Sequence, residues 1–205
     1  MNLSRFTGFF TCLGLATACS AVISSAWGQA APAAAPLTLS HQTVQLAVPF
    51  EKQETARQCG LAAAKMVCGY YGQKFNETQE DWLKTVSKAG DGIMGSELVV
   101  SLRAADYDTA VFQGTLDKKK TGLYYHLDKR RPLVIMITSK DGKASHYDVL
   151  TGYDAKNSLL LVLDPASGPL TLSTVDLLPA WKRANYFTLL AVPKKLNAQA
   201  TPAVK

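Results

Sequence analysis

Motifs that would recruit a cofactor are missing from this chain of 205 residues. It has no H-E-x-x-H run and no clustered cysteine and histidine set, so a metal site has nothing to build on. No G-x-x-x-x-G-K-S/T loop is present to cradle nucleotide phosphates. The glycine-rich segment Gly90 to Gly95 lacks the lysine and reads as an ordinary loop. A G-x-S-x-G elbow for serine hydrolase chemistry is also absent. Cysteine is scarce, at four residues, and histidine scarcer, at three. No internal repeat appears, and no second apolar stretch is long enough to span a bilayer.

The net charge of +6 is carried in short runs, Lys118-Lys119-Lys120 and Lys129-Arg130-Arg131, flanking an expected helix. They have no interleaved aromatic stacking pattern, so solvated faces are the reading and nucleic acid is not an expected partner.

Residues 1–30 begin with Arg5, run through the apolar stretch Phe6 to Ile23 and end in Ser24, Ser25, Ala26, Gly28 and Ala30. That order of charge, apolar run and small residues is what a secretory signal peptide requires. Removal of this segment would place the protein in the periplasm or outside the cell. The alternative is lipid attachment at Cys19, against which Ala16 stands where a larger aliphatic residue is expected. Residues 31–43 form an Ala/Pro linker, 44–193 one domain, and 194–205 a polar tail that cannot bury enough apolar surface to order itself.

Cys12 and Cys19 leave with the signal peptide, so the mature chain would hold Cys59 and Cys68. On one continuous helix nine residues put them on opposite faces and about 13 Å apart. A disulfide needs Cα atoms within roughly 7 Å. Two free thiols in an oxidising compartment call for a reason. Cys68, among Met66, Val67 and Tyr70, reads as a small buried hydrophobe. Cys59 ends the polar stretch from Gln53 and enters the periodic apolar run Leu61 to Tyr71, which Gly72 stops. A thiol at a helix N-terminus meets unpaired N–H groups and the positive end of the helix dipole, both of which favour thiolate.

Further helices are expected over 76–89, with Thr78 and Asp81 as a capping box, over 96–105 capped by Ser96, over 121–129, and over 176–184 with Pro179 in its first turn. The sequon Asn76-Glu77-Thr78 is explained equally well as a helix entry. Strands are expected at 107–112, 133–138, 146–153, 158–163, 169–172 and 186–192. Helices first and strands later indicate an α+β fold with an antiparallel sheet.

The hairpin carries the second chemical group. A turn centred between Ala155 and Lys156 places His146 opposite Pro165 and next to Asp164. A register shift of one residue, from a bulge near the strand ends, would put His146 and Asp164 on one face. Asp148, two residues along the strand from His146, is the competing carboxylate. His41 and His126 read as surface or packing residues. A nucleophilic cysteine needs a base, and the base an orienting group, so Cys59, His146 and an aspartate make a coherent set.

In order and approximate spacing, Gln53, Cys59-Gly60, His146 and Asp164-Pro165 resemble the motifs of the bacteriocin-processing, double-glycine-leader cysteine peptidases, which are papain-like domains. Ala63, Met66, Tyr71-Gly72, Gly152-Tyr153, Gly168, Gly95-Ser96-Glu97-Leu98 and Trp181 to Ala184 extend the likeness over nearly the whole domain. The resemblance implies a papain-like fold, with helices packed on a C-terminal antiparallel sheet. It implies Cys59 as nucleophile, His146 as base, Asp164 as its orienting group and Gln53, six residues before Cys59, in the oxyanion hole. It also implies a peptide or protein substrate with a glycine-rich or double-glycine cleavage site, and no cofactor.

The best-known members are fused to ABC transporters. No transmembrane domain or nucleotide loop is expected in this chain and residues 1–30 read as an export signal, which puts the double-glycine substrate preference in doubt. Exported stand-alone relatives look like accessory proteases of secretion or surface-assembly systems, including those that export functional amyloid, whose components would be partners. Two other readings use the same scaffold: a catalytically idle module that grips a peptide by strand addition, and acyl or amide-group transfer. The intact set Gln53, Cys59, His146 and Asp164 favours activity over binding alone.

Overall fold

A computed structural model describes residues 43–196 of the chain. The expectations for residues 1–30, nearly all of the linker, Cys12, Cys19, His41 and most of the tail lie outside the described residues. In chain order the elements are β1 (Thr43–Gln45), α1 (Cys59–Tyr70), α2 (Glu77–Ala89), α3 (Gly95–Ala104), β2 (Tyr107–Gln113), α4 (Leu123–Asp128), β3 (Leu133–Thr138), β4 (Ser145–Asp154), β5 (Leu159–Asp164), β6 (Gly168–Ser173), α5 (Thr174–Arg183) and β7 (Phe187–Pro193). This is the expected α+β arrangement of helices first and strands later.

The strands form one antiparallel sheet in the order β2-β7-β3-β4-β5-β6, with β1 paired to the far end of β4. Period-two alternation sends Val134, Tyr147, Val149 and Leu189 to one face, against Ala63, Met66 and Val67 of α1 and Leu98 and Leu102 of α3. Leu133, Ile135, Leu150 and Val162 go to the other, against Leu123 and Leu127 of α4 and Leu177 and Trp181 of α5. Helices therefore cover both faces. This is why β3 (Leu133–Thr138) and β5 (Leu159–Asp164) read as near-continuous apolar runs rather than alternating ones.

Several local expectations need correction. Thr43 belongs to β1, inside the expected linker; the strand is too short to carry a pattern of its own and depends on pairing with Asp154. α2 is capped by Asn76, whose side chain accepts from the Gln79 N–H, and not by Thr78 and Asp81. α3 begins at Gly95, with Met94 as N-cap and its N–H held at 2.7 Å by Oε2 of Glu97, so Ser96 lies inside the helix. α5 starts at Thr174 and carries Pro179 beyond its first turn. The carbonyl that Pro179 leaves unpaired belongs to Val175, an exposed residue, so water can satisfy it.

One irregularity matters for the site. β4 and β5 pair as Gly152↔Leu161 at the turn end but as Leu150↔Val162 and Val149↔Leu163 at the other, so the register shifts between Leu150 and Gly152. The bulge lies mid-strand and not near the strand ends. Gly152 permits it: a Cβ there would stand 2.2 Å from the Val44 carbonyl oxygen of β1.

Candidate active site

Cys59 is the first residue of α1 and is buried, and no side chain caps that end of the helix. The dipole's positive end is thus left to the sulfur and to whatever binds beside it. The following Gly60 is needed for close packing, since a Cβ there would meet Ile93 at 3.2 Å and Tyr147 at 3.3 Å. The sulfur opens on a cleft of about 750 Å³ walled by Arg57, the Gly90 to Gly95 loop, Met136, Lys143, Ser145 and Tyr147. The glycine-rich loop read as ordinary is one wall of that cleft. Its signal was in the chain: a run of glycines ending at a helix start lets backbone lie close to a bound group.

His146 sits at the mouth of β4, its side chain a quarter exposed. Its Nε2–H donates to Oδ1 of Asp164 at 2.7 Å, and the same oxygen accepts from the Ala166 N–H at 2.8 Å. The Cys59 sulfur lies close enough to the ring to act on its proton affinity. With Nε2 committed to Asp164, Nδ1 is the nitrogen that serves the sulfur. Burial would push the imidazole down, but the neighbouring Cys59, with Asp148 and Asp164, outweighs it and raises His146 to about 9. Burial pushes Asp164 up, yet the bonds from the Ala166 N–H and His146, with Ser167 nearby, hold the carboxyl below the usual aspartate range.

The shifted register puts His146 and Asp164 on one face. Asp148, on that face too, lies farther off, with Oδ1 3.5 Å from Nε2. Gln53 stands in the segment leading to α1. Its N–H donates to the Pro165 carbonyl at 3.0 Å, which ties it to the corner that follows Asp164, and its half-buried side chain keeps Oε1 inside without a hydrogen-bond partner. It does not line the cleft of Cys59.

His146, Asp148 and Asp164 have donor atoms within 4.8 Å of one another, the spacing of a cation site. Two of those atoms already share a hydrogen bond of 2.7 Å, and the set is read as that bonded pair with a third group beside it.

The remaining candidates fall elsewhere. Cys68 is free, buried in the core under α1, and pushed by burial up to about 11, with the neighbouring Tyr107 acting weakly in the other direction. His126 is buried, with Nε2 on the Lys120 carbonyl at 2.9 Å and its ring against Phe112. Of the basic runs, Lys118 pairs with Asp128 and Lys129 lies over the Tyr125 ring. No helix among the described residues is long and apolar enough to cross a membrane.

Among curated proteins none matches this chain in sequence. Solved structures of the same fold include a double glycine motif protease from an AMS/PCAT transporter in complex with its leader peptide, at 20% identity and a TM-score of 0.56, covering 76% of this chain and 96% of that one. A C39-like peptidase from Bacillus anthracis is 17% identical with a TM-score of 0.54, covering 73% and 97%. The peptidase domain of Streptococcus ComA, a bifunctional ABC transporter of a quorum-sensing pathway, is 19% identical with a TM-score of 0.53, covering 70% and 97%. The pattern of the Peptidase_C39 like family matches residues 45–186, a span that runs from β1 past α5 and includes the cysteine, the histidine and both aspartates. The chain therefore belongs to the C39-like peptidase family and is a cysteine peptidase of papain-like fold.

Proposed function

We propose that Cys59, His146, Asp164 and Gln53 are the catalytic residues of an exported peptidase that cleaves a peptide or protein of the cell envelope. The observation that carries this reading is His146 itself. One ring nitrogen is held by Asp164 at 2.7 Å while the ring lies near enough to the Cys59 sulfur to be raised by it, and that sulfur opens on a cleft of about 750 Å³. The sulfur attacks the scissile carbonyl carbon and its proton resides on the imidazole. As the C–N bond breaks, the imidazolium passes that proton to the leaving amine. Water, deprotonated by the same imidazole, then attacks the thioester, which releases the acid and restores the thiol. Asp164 keeps the ring in the tautomer this needs. The Cys59 N–H and the Gln53 side-chain amide stabilise the oxyanion.

The double glycine motif protease of the same fold is seen with a leader peptide, which supports a peptide substrate with small residues at the cut. The signal-peptide pattern of residues 1–30 supports action in the periplasm or outside the cell, as an accessory protease of a secretion or surface-assembly system. The test compares peptide termini of envelope and secreted proteins in cells carrying the wild-type chain or Cys59→Ala. Termini that vanish with Cys59 name substrate and site together; an unchanged set rejects the proposal. An added amine acceptor in the purified reaction separates hydrolysis from transfer.

Gln53→Ala is expected to lower kcat by about 10²- to 10³-fold, roughly 3 kcal/mol, the usual cost of one oxyanion donor. KM and the His146 titration should not move. An unchanged kcat would return Gln53 to an ordinary loop glutamine.

A further inference from the structure

Asp148 is buried more deeply than Cys59, at 2% exposure against 6%, and its Oδ1 has no hydrogen-bond partner. That oxygen lies 3.5 Å from His146 Nε2, whose single N–H is already engaged by Asp164. One N–H cannot serve two acceptors at full strength. Asp148 and Asp164 also stand one step beyond Val149↔Leu163, the last paired residues of β4 and β5, so two carboxyls face each other across the strands. Both ionised, they repel. Asp164 has the Ala166 N–H and the imidazole to hold its charge, whereas Asp148 has an orphan oxygen in the interior. A proton shared between the two therefore belongs on Asp148.

Resting on the peptidase reading of Cys59 and His146, we propose that Asp148 is a positioning residue that acts as a proton-dependent reserve of charge. At acid pH it is neutral and Asp164 alone orients the ring; at alkaline pH it ionises and a second carboxylate keeps the imidazolium protonated. Burial raises Asp148, the imidazolium opposes this, and the Asp164 charge adds to it, leaving the carboxyl at about 7. Its ionisation then precedes that of His146, at about 9, as the role requires.

The groups around Asp148 are few. His146 comes from its own strand, Asp164 from β5, and β3 presents Ile135 opposite it. Cys59 of α1 acts through the imidazole. Arg183 of α5 and Lys140 share a cavity with His146 and Asp164 that Asp148 does not line, and Nε of Arg183 is taken by the Thr138 carbonyl.

The experiment is a pH titration by NMR of the full-length protein. In Asp148→Asn, which keeps the shape and removes the charge, the His146 ring should titrate about one pH unit lower than in the wild type, a tenfold change in its proton affinity. A packing role would leave that titration in place. If the variant fails to fold, the Asp148 carboxyl carbon of the wild type, assigned through its backbone, should titrate between about pH 6 and 8, as its raised value requires. An unmoved His146 in the variant, or an Asp148 carboxyl that titrates in the usual aspartate range, overturns the proposal. Neither readout uses a substrate, so such a failure removes the role of Asp148 alone, and terminus mapping decides the cleavage assignment separately.

Discussion

Cys59→Ala is expected to cut peptide-bond cleavage by about 10⁴-fold or more in kcat, while Cys68→Ala should leave turnover within a factor of a few. The contrast follows from where the thiols sit. Both are free and buried, but Cys59 opens α1 beside an imidazole and a cleft, and Cys68 lies in the core next to Tyr107. Burial lifts the Cys68 thiol to about 11, which leaves almost no thiolate at neutral pH. Iodoacetamide on the native protein should therefore label Cys59 and spare Cys68, a result read by peptide mass mapping. Equal labelling, or a loss of less than about 10-fold in Cys59→Ala, removes the cysteine from the reaction. Cys68→Ala does cost stability, since it empties space in the cluster around Met66 and Tyr107.

His146→Ala should cost as much as Cys59→Ala, and the double variant no more than either. A nucleophile and its base act as a unit, so their losses do not add. Asp164→Ala is the milder change, on the order of 10²-fold, because the ring remains but can rotate away from the sulfur. Asp164→Asn should recover part of that loss, since an amide oxygen can still accept from Nε2–H. Additive losses in the double variant would mean that sulfur and imidazole do not act together.

The His146 value also sets a pH dependence. Raised to about 9 in the folded chain from an ordinary 6.5, the imidazole stays charged through neutral pH and loses its proton as pH rises through 9. The acid that must protonate the leaving amine is lost there, so turnover falls on the alkaline side. The linkage to stability has the same sign. A group raised on folding contributes stability that is complete below about pH 6.5 and disappears through pH 9. His146→Ala should accordingly flatten the fall in thermal stability over that interval.

Much of the fold was legible because it is local. The periodic apolar run after Cys59, the stop at Gly72 and the apolar runs of β3 and β5 each follow from side-chain spacing within one element. β1 was not legible, since three residues carry no pattern and their strand exists only by pairing with β4. The α3 start was missed for a related reason: Glu97 reaches back to the Met94 N–H, a bond that displaces the expected Ser96 cap. The cleft wall was visible as a glycine-rich loop, but nothing in its composition says which groove it borders.

By itself the chain determined which groups are available and where each sits in its own element: a thiol opening a helix, an imidazole opening a strand, and an aspartate closing the next. These are properties of residue type and short-range spacing, where backbone geometry leaves few choices. Tertiary structure alone decided how they meet. The bulge between Leu150 and Gly152, admitted by the contact of Gly152 with β1, shifts the register by one residue and turns Asp164 onto the face of His146. The packing of α1 on β4 through Gly60 and Tyr147 then brings the sulfur to the ring. The same burial leaves Oδ1 of Asp148 next to the pair without a hydrogen-bond partner. Side-chain alternation has a period of two, so a single inserted residue reverses which groups share a face, and only contacts between distant segments determine where it is inserted.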